Sequence, residues 1–272
     1  MAIAVIHDLT GVGRCALSVI LPTLSAMGYQ ACPAATALLS THPHFPGYVY
    51  QPQTETVQAI LAHWTALDIC FEAVYVGFLT ASAAPAVLDF VQRQKQQGAV
   101  VMADPVMGDG GALYRFFDQD MPDYWRDLLT QADICTPNIT EACALLHHTY
   151  ADIVTQQDTK SIIAKLQILG PRHVVITSCH DGQEWYNCAD DGNVYPYQAV
   201  LEGYPGTGDL FAAVLLGTYL QHGWNAAVSK ATAFTTYVVW KTYQKSTPPR
   251  EGLCFEPHLG ELCDISLPLS HK

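Results

Sequence analysis

The amino-acid sequence predicts an α/β fold in which a mostly parallel central sheet lies between two layers of helices. Three observations lead to this prediction. Short apolar or β-branched runs alternate with longer segments of helical periodicity along the 272 residues, as happens when helices connect parallel strands. Half of the residues are hydrophobic and only 14% are charged, and no repeat or linker divides the chain. We therefore expect a three-layer α/β/α sandwich that forms a single domain over residues 1–272.

The first half of the chain supplies strands and helices in turn. Apolar runs predict strands, and the helical period with a closing glycine predicts helices. The predicted strands are 2–7, 29–38, 73–78 and 99–103. The predicted helices are 15–27, 53–67 and 83–97, with Gly28 and Gly98 closing the first and the third.

The second half continues the alternation and ends in two long helices. The predicted strands are 133–136 and 173–177, with helices at 138–148 and 158–169. The turn-rich residues 189–193 separate 183–188 from 194–198 and predict an antiparallel hairpin. The last predicted helices are 208–222 and 225–245, separated by Gly223. Because ligands bind at the carboxyl ends of parallel strands, functional residues are expected in the loops that follow them.

The charge distribution excludes two classes of partner. The chain has 13 basic and 25 acidic residues, a formal net charge of −12. The basic residues are scattered from Arg14 to Lys272 with no two adjacent, whereas nucleic-acid or anionic-membrane surfaces need clustered Lys and Arg. The longest apolar helix-like run, 210–220, is also too short to span a bilayer. We expect no nucleic-acid or membrane partner.

The cysteines and the first residues indicate the compartment. Nine cysteines, with no Cys-x-x-Cys pair, do not fit the short, even-numbered disulfide frameworks of secreted proteins. The opening MAIAVIHD lacks the basic leader and the long apolar run of a signal peptide. We therefore expect a soluble, cytoplasmic protein with reduced thiols.

The glycine-rich segment 203–213 (GYPGTGDLFAA) leads from a loop into an apolar helix. Glycines let backbone amides face a ligand, and a helix N-terminus adds unpaired N–H groups and the positive end of a dipole. The pattern predicts that Gly206, Thr207 and Gly208 surround an anion. The alternative is a turn in which Asp209 only caps the helix. A Walker A loop is excluded because no Gly-Lys-Ser or Gly-Lys-Thr occurs.

Two other strand ends carry acids. Asp104 follows the strand 99–103, where an Asp-Pro turn is the simpler interpretation. Asn138 and Glu141 follow Thr136 and share one helix face, which suits either Mg²⁺ ligation through water or a capping box.

A fourth strand end places the hydroxyls of Thr177 and Ser178 in reach of phosphate oxygens, or at the start of a turn. The carboxylate, the Asn/Glu pair, these hydroxyls and the glycine-rich loop all follow predicted strands, and those strand ends share one edge of a parallel sheet. The joint interpretation is a site for a nucleotide phosphate chain and a divalent ion.

The motifs at these positions resemble those of a known family. They are, in order, DPVMGD at 104–109, TPN at 136–138 with Glu141, and GTGD at 206–209. They are similar to motifs of the vitamin B6 kinases, within the ribokinase-like superfamily. HDLTGVGRC at 7–15 and LSTH at 39–42 resemble the pyridoxal/pyridoxamine kinase branch in particular. The resemblance covers nearly the whole chain and implies a ribokinase-like fold.

The resemblance also implies a reaction and a set of ligands. The chain would phosphorylate the 5′-hydroxymethyl group of pyridoxal, pyridoxine or pyridoxamine, with ATP and a small pyridine alcohol as ligands, in the salvage of B6 vitamers to pyridoxal 5′-phosphate. Mg²⁺ would accompany ATP, and the need for a monovalent cation stays open. A homodimer is expected.

The resemblance assigns roles residue by residue. Asp209 would be the base that takes the hydroxyl proton, and Asp104 and Glu141 would face Mg²⁺. The residues implied for ATP and its phosphates are Asp104, Thr136, Asn138, Glu141, Thr177, Ser178, Gly206, Thr207 and Gly208. The residues implied for the acceptor are Asp8, Ser40, Thr41, His42, Pro43, His44, Phe78 and Asp209, with 40–44 as a loop over the ring.

Three departures leave the preferred vitamer open. Asp8, Pro43 and Phe78 stand where many B6 kinases have Ser, Thr and Tyr. Each change removes a hydroxyl, although Asp8 can instead pair with a protonated ring nitrogen. The alternatives are a hydroxymethylpyrimidine kinase of the same superfamily and a non-catalytic vitamer-binding protein. An oxidoreductase is disfavoured because no acid follows the second strand at the dinucleotide-binding spacing.

Overall fold

The computed structural model describes residues 1–114, 120–151, 154–200 and 203–263. Nine strands form one sheet, and two short strands form a separate hairpin. The strands are β1 (Ala2–Val12), β2 (Gln30–Thr41), β3 (Tyr50–Pro52), β4 (Ala73–Val76), β5 (Val100–Ala103), β6 (Gly108–Asp109), β7 (Ala112–Leu113), β8 (Ile134–Cys135), β9 (His173–His180), β10 (Trp185–Ala189) and β11 (Val194–Tyr197). The helices are α1 (Leu17–Ala26), α2 (Thr54–Ala66), α3 (Ala84–Gln96), α4 (Met121–Leu129), α5 (Ile139–Leu145), α6 (Gln156–Ile168), α7 (Thr207–His222) and α8 (Trp224–Gln244).

The strand order in the large sheet is β11-β10-β9-β8-β5-β4-β1-β2-β3. The six strands from β9 to β2 in this order pair in parallel, whereas β3, β10 and β11 are antiparallel at the two sides. The mostly parallel sheet and the late hairpin predicted from the sequence are confirmed. All six parallel strands therefore deliver their carboxyl ends to one edge.

Helices cover both faces of the sheet, as the alternation predicts. In β1, Ala4 and Ile6 belong to the core beneath α2 to α6, whereas Ile3 and Val5 belong to the core beneath α1, α7 and α8. Successive side chains of a strand point to opposite faces, so a strand buried on both sides must be apolar throughout. The three-layer α/β/α prediction is confirmed.

Several elements differ from the sequence prediction. Strand β1 continues to Val12 and β2 to Thr41, because the two remain paired up to the Val12–Thr41 partners. The strand β3 and the helix α4 were not predicted. Helix α4 is only 9 residues long with Pro122 in its first turn, so its period is too short to stand out in the sequence.

All nine cysteines are free thiols, and five of them are buried. Within the described ranges, no helix combines the length and apolar character needed to cross a membrane.

Candidate active site

The carboxyl ends of the parallel strands and the start of α7 surround one group of polar side chains. His7 and Asp8 come from β1, Asp104 follows β5, and Asp209 lies in the first turn of α7. His7, Asp104 and Asp209 each offer an atom within 4.8 Å of the others. Asp104 and Asp209, which the sequence predicts to lie at the same edge of the sheet, are therefore close to each other.

Asp209 does not cap its helix. The N-cap of α7 is Gly206, and no side chain bonds to the cap. Instead, Oδ2 of Asp209 accepts a hydrogen bond of 2.7 Å from the amide of Ala16, and Oδ1 lies 3.2 Å from Nε2 of His7. The alternative in which Asp209 only caps the helix is wrong, and its carboxylate faces the strand ends.

The charge of Asp209 is stabilised despite its burial. Its side chain is only 12% exposed, and burial alone would raise the pKa of the carboxyl. The hydrogen bond and charge of His7, with the Ala16 amide, outweigh burial and hold the pKa of Asp209 below its ordinary value. The carboxyl of Asp209 is therefore ionised at neutral pH.

The glycine-rich loop has the geometry of an anion cradle. Gly206 has φ 85°, and a Cβ there would collide with the carbonyl oxygen of Arg14. Only glycine tolerates this left-handed conformation and this close approach. Thr207 donates its hydroxyl to the carbonyl of Tyr204 at 2.7 Å, and a Cβ at Gly208 would meet open space. The first amides of α7 have no partner inside the helix and are available to an anion.

Asp104 is buried between two hydroxyl donors. Tyr75 donates its hydroxyl to Oδ2 at 2.8 Å, and Thr136 donates to Oδ1 at 3.0 Å. Burial and the charge of Asp209 raise the pKa of Asp104 to about 6, against the lowering effect of Tyr75, His7 and Thr136. A divalent cation beside this carboxylate would offset both raising effects.

Asn138 and Glu141 form the capping box that was one of the two interpretations of their spacing. Asn138 accepts from the Glu141 amide at 2.9 Å, and Oε2 of Glu141 accepts from the Asn138 amide at 2.9 Å. The other oxygen, Oε1, accepts from the amide of Met107 at 3.1 Å. Burial and Asp104 nevertheless raise the pKa of Glu141 well above its ordinary value.

Thr177 and Ser178 lie beside this pair. Thr177 forms a single bridge with Asn138 and donates its amide to the carbonyl of Pro137 at 2.9 Å. Ser178 is exposed, has φ 57°, and donates its amide to Asn187 at 3.1 Å. Both residues lie inside β9, which continues to His180 instead of ending at Thr177 as the sequence predicts.

Asp8 lies in the candidate binding site for the acceptor ring, called the ring site below. The buried Asp8 carboxylate accepts from the hydroxyl of Thr10 at 3.0 Å and lies 2.9 Å from Nδ1 of His7. The buried Phe78 packs with Ala37 and Leu39, and its ring centroid lies 6.4 Å from that of Tyr50. A carboxylate beside an apolar and aromatic wall suits a flat ring with a polar edge.

The expected loop 40–44 is only partly a loop. Ser40 and Thr41 are the last residues of β2, because that strand stays paired with β1, so the prediction of a loop is wrong for these two. Ser40 accepts from the amide of Val49 at 2.8 Å, while the buried hydroxyl oxygen of Thr41 has no hydrogen-bond partner within the described chain. His42 and His44 follow the strand on either side of Pro43.

The two loop histidines contact each other edge to face, with ring centroids 4.5 Å apart. Burial lowers the pKa of His42 to about 4, with a further contribution from His44 and against the raising effect of Asp209 and Asp8. His42 is therefore neutral at physiological pH and close to the acids of the site.

Three participants were not assigned from the sequence: His7, Tyr75 and the amide of Ala16. His7 contacts both Asp8 and Asp209, Tyr75 supports Asp104, and Ala16 supports Asp209. For His7 the sequence offers one signal, a histidine before an acid at the end of a predicted buried strand; Tyr75 and Ala16 have none.

Known proteins with similar sequences and structures are kinases, as the motifs of this chain predict. The family model described as phosphomethylpyrimidine kinase matches residues 20–248. The pyridoxal kinase of Ovis aries is 36% identical over 201 residues, which cover 65% of this chain and 63% of the sheep protein. The match thus spans less than two thirds of that relative's length.

Solved structures match over more of the chain. A Bacteroides thetaiotaomicron protein described as a candidate phosphomethylpyrimidine kinase, solved with pyridoxal, is 35% identical with a TM-score of 0.86 and covers 98% of this chain and 97% of its own. Pyridoxal kinase from Leishmania donovani, solved with ADP and pyridoxamine, is 26% identical with a TM-score of 0.83 and covers 96% and 95%. The resemblance read from the motifs is confirmed.

Proposed function

The chain belongs to the phosphomethylpyrimidine kinase family, and on that basis we propose that it transfers the γ-phosphoryl group of ATP to the 5′-hydroxymethyl group of a vitamin B6 vitamer. The observation that carries this proposal is the orientation of Asp209, whose ionised carboxylate faces the strand-end edge from the first turn of α7 instead of capping it. The pyridoxal and the pyridoxamine with ADP in the related structures support the same ligands.

The acceptor ring would lie against Phe78 with a polar edge at Asp8, and its hydroxymethyl group would point to Asp209. Asp209 accepts the hydroxyl proton as the alcohol oxygen forms its bond to the γ-phosphorus. The bond between that phosphorus and the β,γ-bridging oxygen breaks, which releases ADP and leaves the phosphate on the vitamer. A carboxylate of low pKa is a weak base, and this suffices because the proton leaves late in a loose transition state.

The first amides of α7, from Gly206 to Asp209, would face the phosphoryl group in transit. They carry partial positive charge fixed in position by the left-handed Gly206. Donors already aimed at the developing charge need no reorganisation during the reaction. Thr136, Asn138, Thr177 and Ser178 would contact ATP from the neighbouring strand ends.

We propose that Asp104 and Glu141 hold Mg²⁺ with the ATP phosphates. Both are hard oxygen donors whose pKa burial raises, and a divalent cation would relieve the cost of keeping them ionised. Mg²⁺ neutralises phosphate charge in such transfers. His7 is a poor ligand there because the neighbouring carboxylates of Asp209 and Asp8 outweigh burial and raise its pKa to about 10, and a protonated imidazole has no lone pair for a metal.

The family description names a pyrimidine substrate, which makes hydroxymethylpyrimidine the second candidate acceptor. The decisive experiment measures ATP consumption with pyridoxal, pyridoxine, pyridoxamine and hydroxymethylpyrimidine in parallel, and identifies the phosphorylated product by mass. Turnover with a B6 vitamer supports the proposal, and turnover confined to the pyrimidine supports the alternative. Binding of vitamers without any turnover would indicate a non-catalytic binding protein.

We also propose that the protein is cytoplasmic and forms a homodimer. The free thiols fit the reducing interior that a cytoplasmic location provides. A homodimer is tested by light scattering of the purified protein, and a monovalent-cation requirement by assays in K⁺, Na⁺ and tetramethylammonium salts.

A further inference from the structure

His7 lies between the part of the candidate site that would bind the acceptor ring and the part that would hold the phosphoryl group. The residue is 2% exposed and belongs to β1. Its Nδ1 lies 2.9 Å from Oδ1 of Asp8, and its Nε2 lies 3.2 Å from Oδ1 of Asp209. Asp8 belongs to the ring end of the site and Asp209 to the phosphoryl end. One rigid imidazole therefore spans the distance between them.

Neighbouring residues fix the position of the imidazole ring. A Cβ at Gly77 would collide with Cδ2 and Nε2 of His7, so the ring occupies the space that a side chain at that position would fill. On another side, the Tyr75 ring stands at 85° to it with centroids 6.1 Å apart. Tyr75 in turn donates to Asp104. The ring cannot rotate away from either acid without displacing a neighbour.

We propose that His7 is a positioning residue that sets the separation between the ring-binding carboxylate of Asp8 and the base carboxylate of Asp209. The inference rests on the proposed function. A base must reach its proton within about 2.6–3.2 Å, and a misplacement of about 1 Å can cost about 10²-fold in rate. Because one imidazole contacts both acids, it fixes where the hydroxymethyl group of the substrate lies relative to its base once the pyridine ring is bound.

A purely structural role predicts a different outcome. A buried histidine between two acids also stabilises the fold, and its loss would then lower the melting temperature and leave the kinetic constants of the folded protein unchanged. The two nitrogens can be removed separately. An Asn amide nitrogen reaches the position of Nδ1, and a Gln amide nitrogen reaches that of Nε2.

The test compares His7→Asn and His7→Gln with the wild type in steady-state assays that vary the vitamer and ATP independently. His7→Asn keeps the contact with Asp8 and loses that with Asp209, so kcat should fall by about 10²-fold with little change in the vitamer KM. His7→Gln keeps the contact with Asp209, so the vitamer KM should rise about 10-fold with a smaller loss of kcat, as for one hydrogen bond to a charged group. The KM for ATP should stay unchanged in both.

The matched control is His173→Asn. His173 is also paired with an acid, 3.2 Å from Asp190, but it is only part-buried, and it stacks on Trp224 at the amino end of β9, opposite the site. Its loss should lower the melting temperature and leave kcat and both KM values as in the wild type. If the two His7 variants behave like this control, or change kcat and KM in the same proportion, the positioning role is wrong.

The outcomes also separate this inference from the proposed function. A wild type that phosphorylates neither a vitamer nor the pyrimidine overturns both. An active wild type, with His7→Asn and His7→Gln that do not differ in their effects on kcat and the vitamer KM, overturns only the role of His7. If neither His7 variant folds, Gly77→Ala displaces the ring without altering its chemistry, and a wild-type kcat in folded Gly77→Ala overturns the inference.

Discussion

The amide of Ala16 donates to Oδ2 of Asp209 at 2.7 Å and so joins the start of α1 to the first turn of α7, 193 residues away. Ala16 has φ 55°, a left-handed conformation that costs a residue with a side chain about 1–3 kcal/mol. The surrounding structure holds this conformation, and it aims the amide at the carboxylate. The orientation of the candidate base thus depends on backbone geometry set at the other end of the chain.

Asp209→Asn tests the base directly. The amide cannot accept the hydroxyl proton, and positioned general bases contribute about 10² to 10⁴ in rate, so kcat should fall by about that factor, which is about 3 to 5 kcal/mol of barrier. Because Asn keeps the shape, ATP binding and the fold should survive. Steady-state kinetics, a thermal melt and ATP titration of the same variant measure all three.

The control for Asp209→Asn is Glu55→Gln. Glu55 is an exposed acid in the first turn of α2, so its replacement removes the same kind of charge from a helix N-terminus without touching any residue assigned to the site. It should leave kcat unchanged. A normal kcat in Asp209→Asn would rule out the proton transfer proposed here.

Asp104→Asn should weaken the use of Mg-ATP. The variant keeps the shape but loses the charge that a cation needs, and its single amide oxygen can accept from only one of the two hydroxyls of Tyr75 and Thr136. A hydrogen-bonded charged partner contributes about 1.5–3 kcal/mol, so the Mg²⁺ concentration for half-maximal activity should rise by about 10- to 100-fold. The measurement is a Mg²⁺ titration of activity at fixed ATP.

Asp133→Asn serves as the partner control for that titration. Asp133 is a part-buried acid paired with Lys95 at 2.8 Å, at the amino end of β8 and thus at the opposite edge of the sheet. It should leave the Mg²⁺ requirement unchanged. Equal Mg²⁺ curves for Asp104→Asn and the wild type would leave Asp104 as a strand-end turn residue.

Asp8→Asn should change recognition of the acceptor and spare the nucleotide. The carboxylate lies between Thr10 and His7 at the ring end of the site, and losing its charge should raise the vitamer KM by about 10-fold or more. The KM for ATP should change far less. A vitamer series at saturating ATP, repeated with ATP varied, gives both constants, and an equal rise in both would remove Asp8 from the ring site.

Local signals explain which site residues the sequence revealed. Asp104 and Asp209 follow from strand-to-loop and loop-to-helix patterns, and the capping box of Asn138 and Glu141 follows from a three-residue spacing. His7 and Ala16 could not be assigned, because their partner Asp209 is distant in sequence and meets them only when α7 packs beside β1. The sequence predicts a loop at Thr41 because the apolar run of β2 ends before it, whereas pairing with β1 extends the strand to this residue.

The charge of His7 predicts how stability depends on pH. Burial would lower the pKa of His7, but the hydrogen bonds and charges of Asp209 and Asp8 raise it from 6.5 to about 10. The folded protein therefore holds a proton that the unfolded chain has released between these values, so stability falls as pH rises through this window. Of the other groups near the ring, Tyr75 keeps its state there because its pKa is raised well above its ordinary value, whereas Asp104, with a pKa of about 6, still titrates at the lower end of the window.

Thermal melts of metal-free wild type and His7→Gln from pH 6 to pH 10 measure this contribution. Gln cannot titrate, and groups that do not interact with His7 cancel in the difference between the two melting temperatures. That difference should be largest near pH 6, where the stabilisation by the His7 proton is fully present, and should shrink steadily as the pH approaches 10. A difference that stays constant or grows with pH would mean that His7 is neutral in the folded protein, and that Asp209 is held by the Ala16 amide without an ion pair.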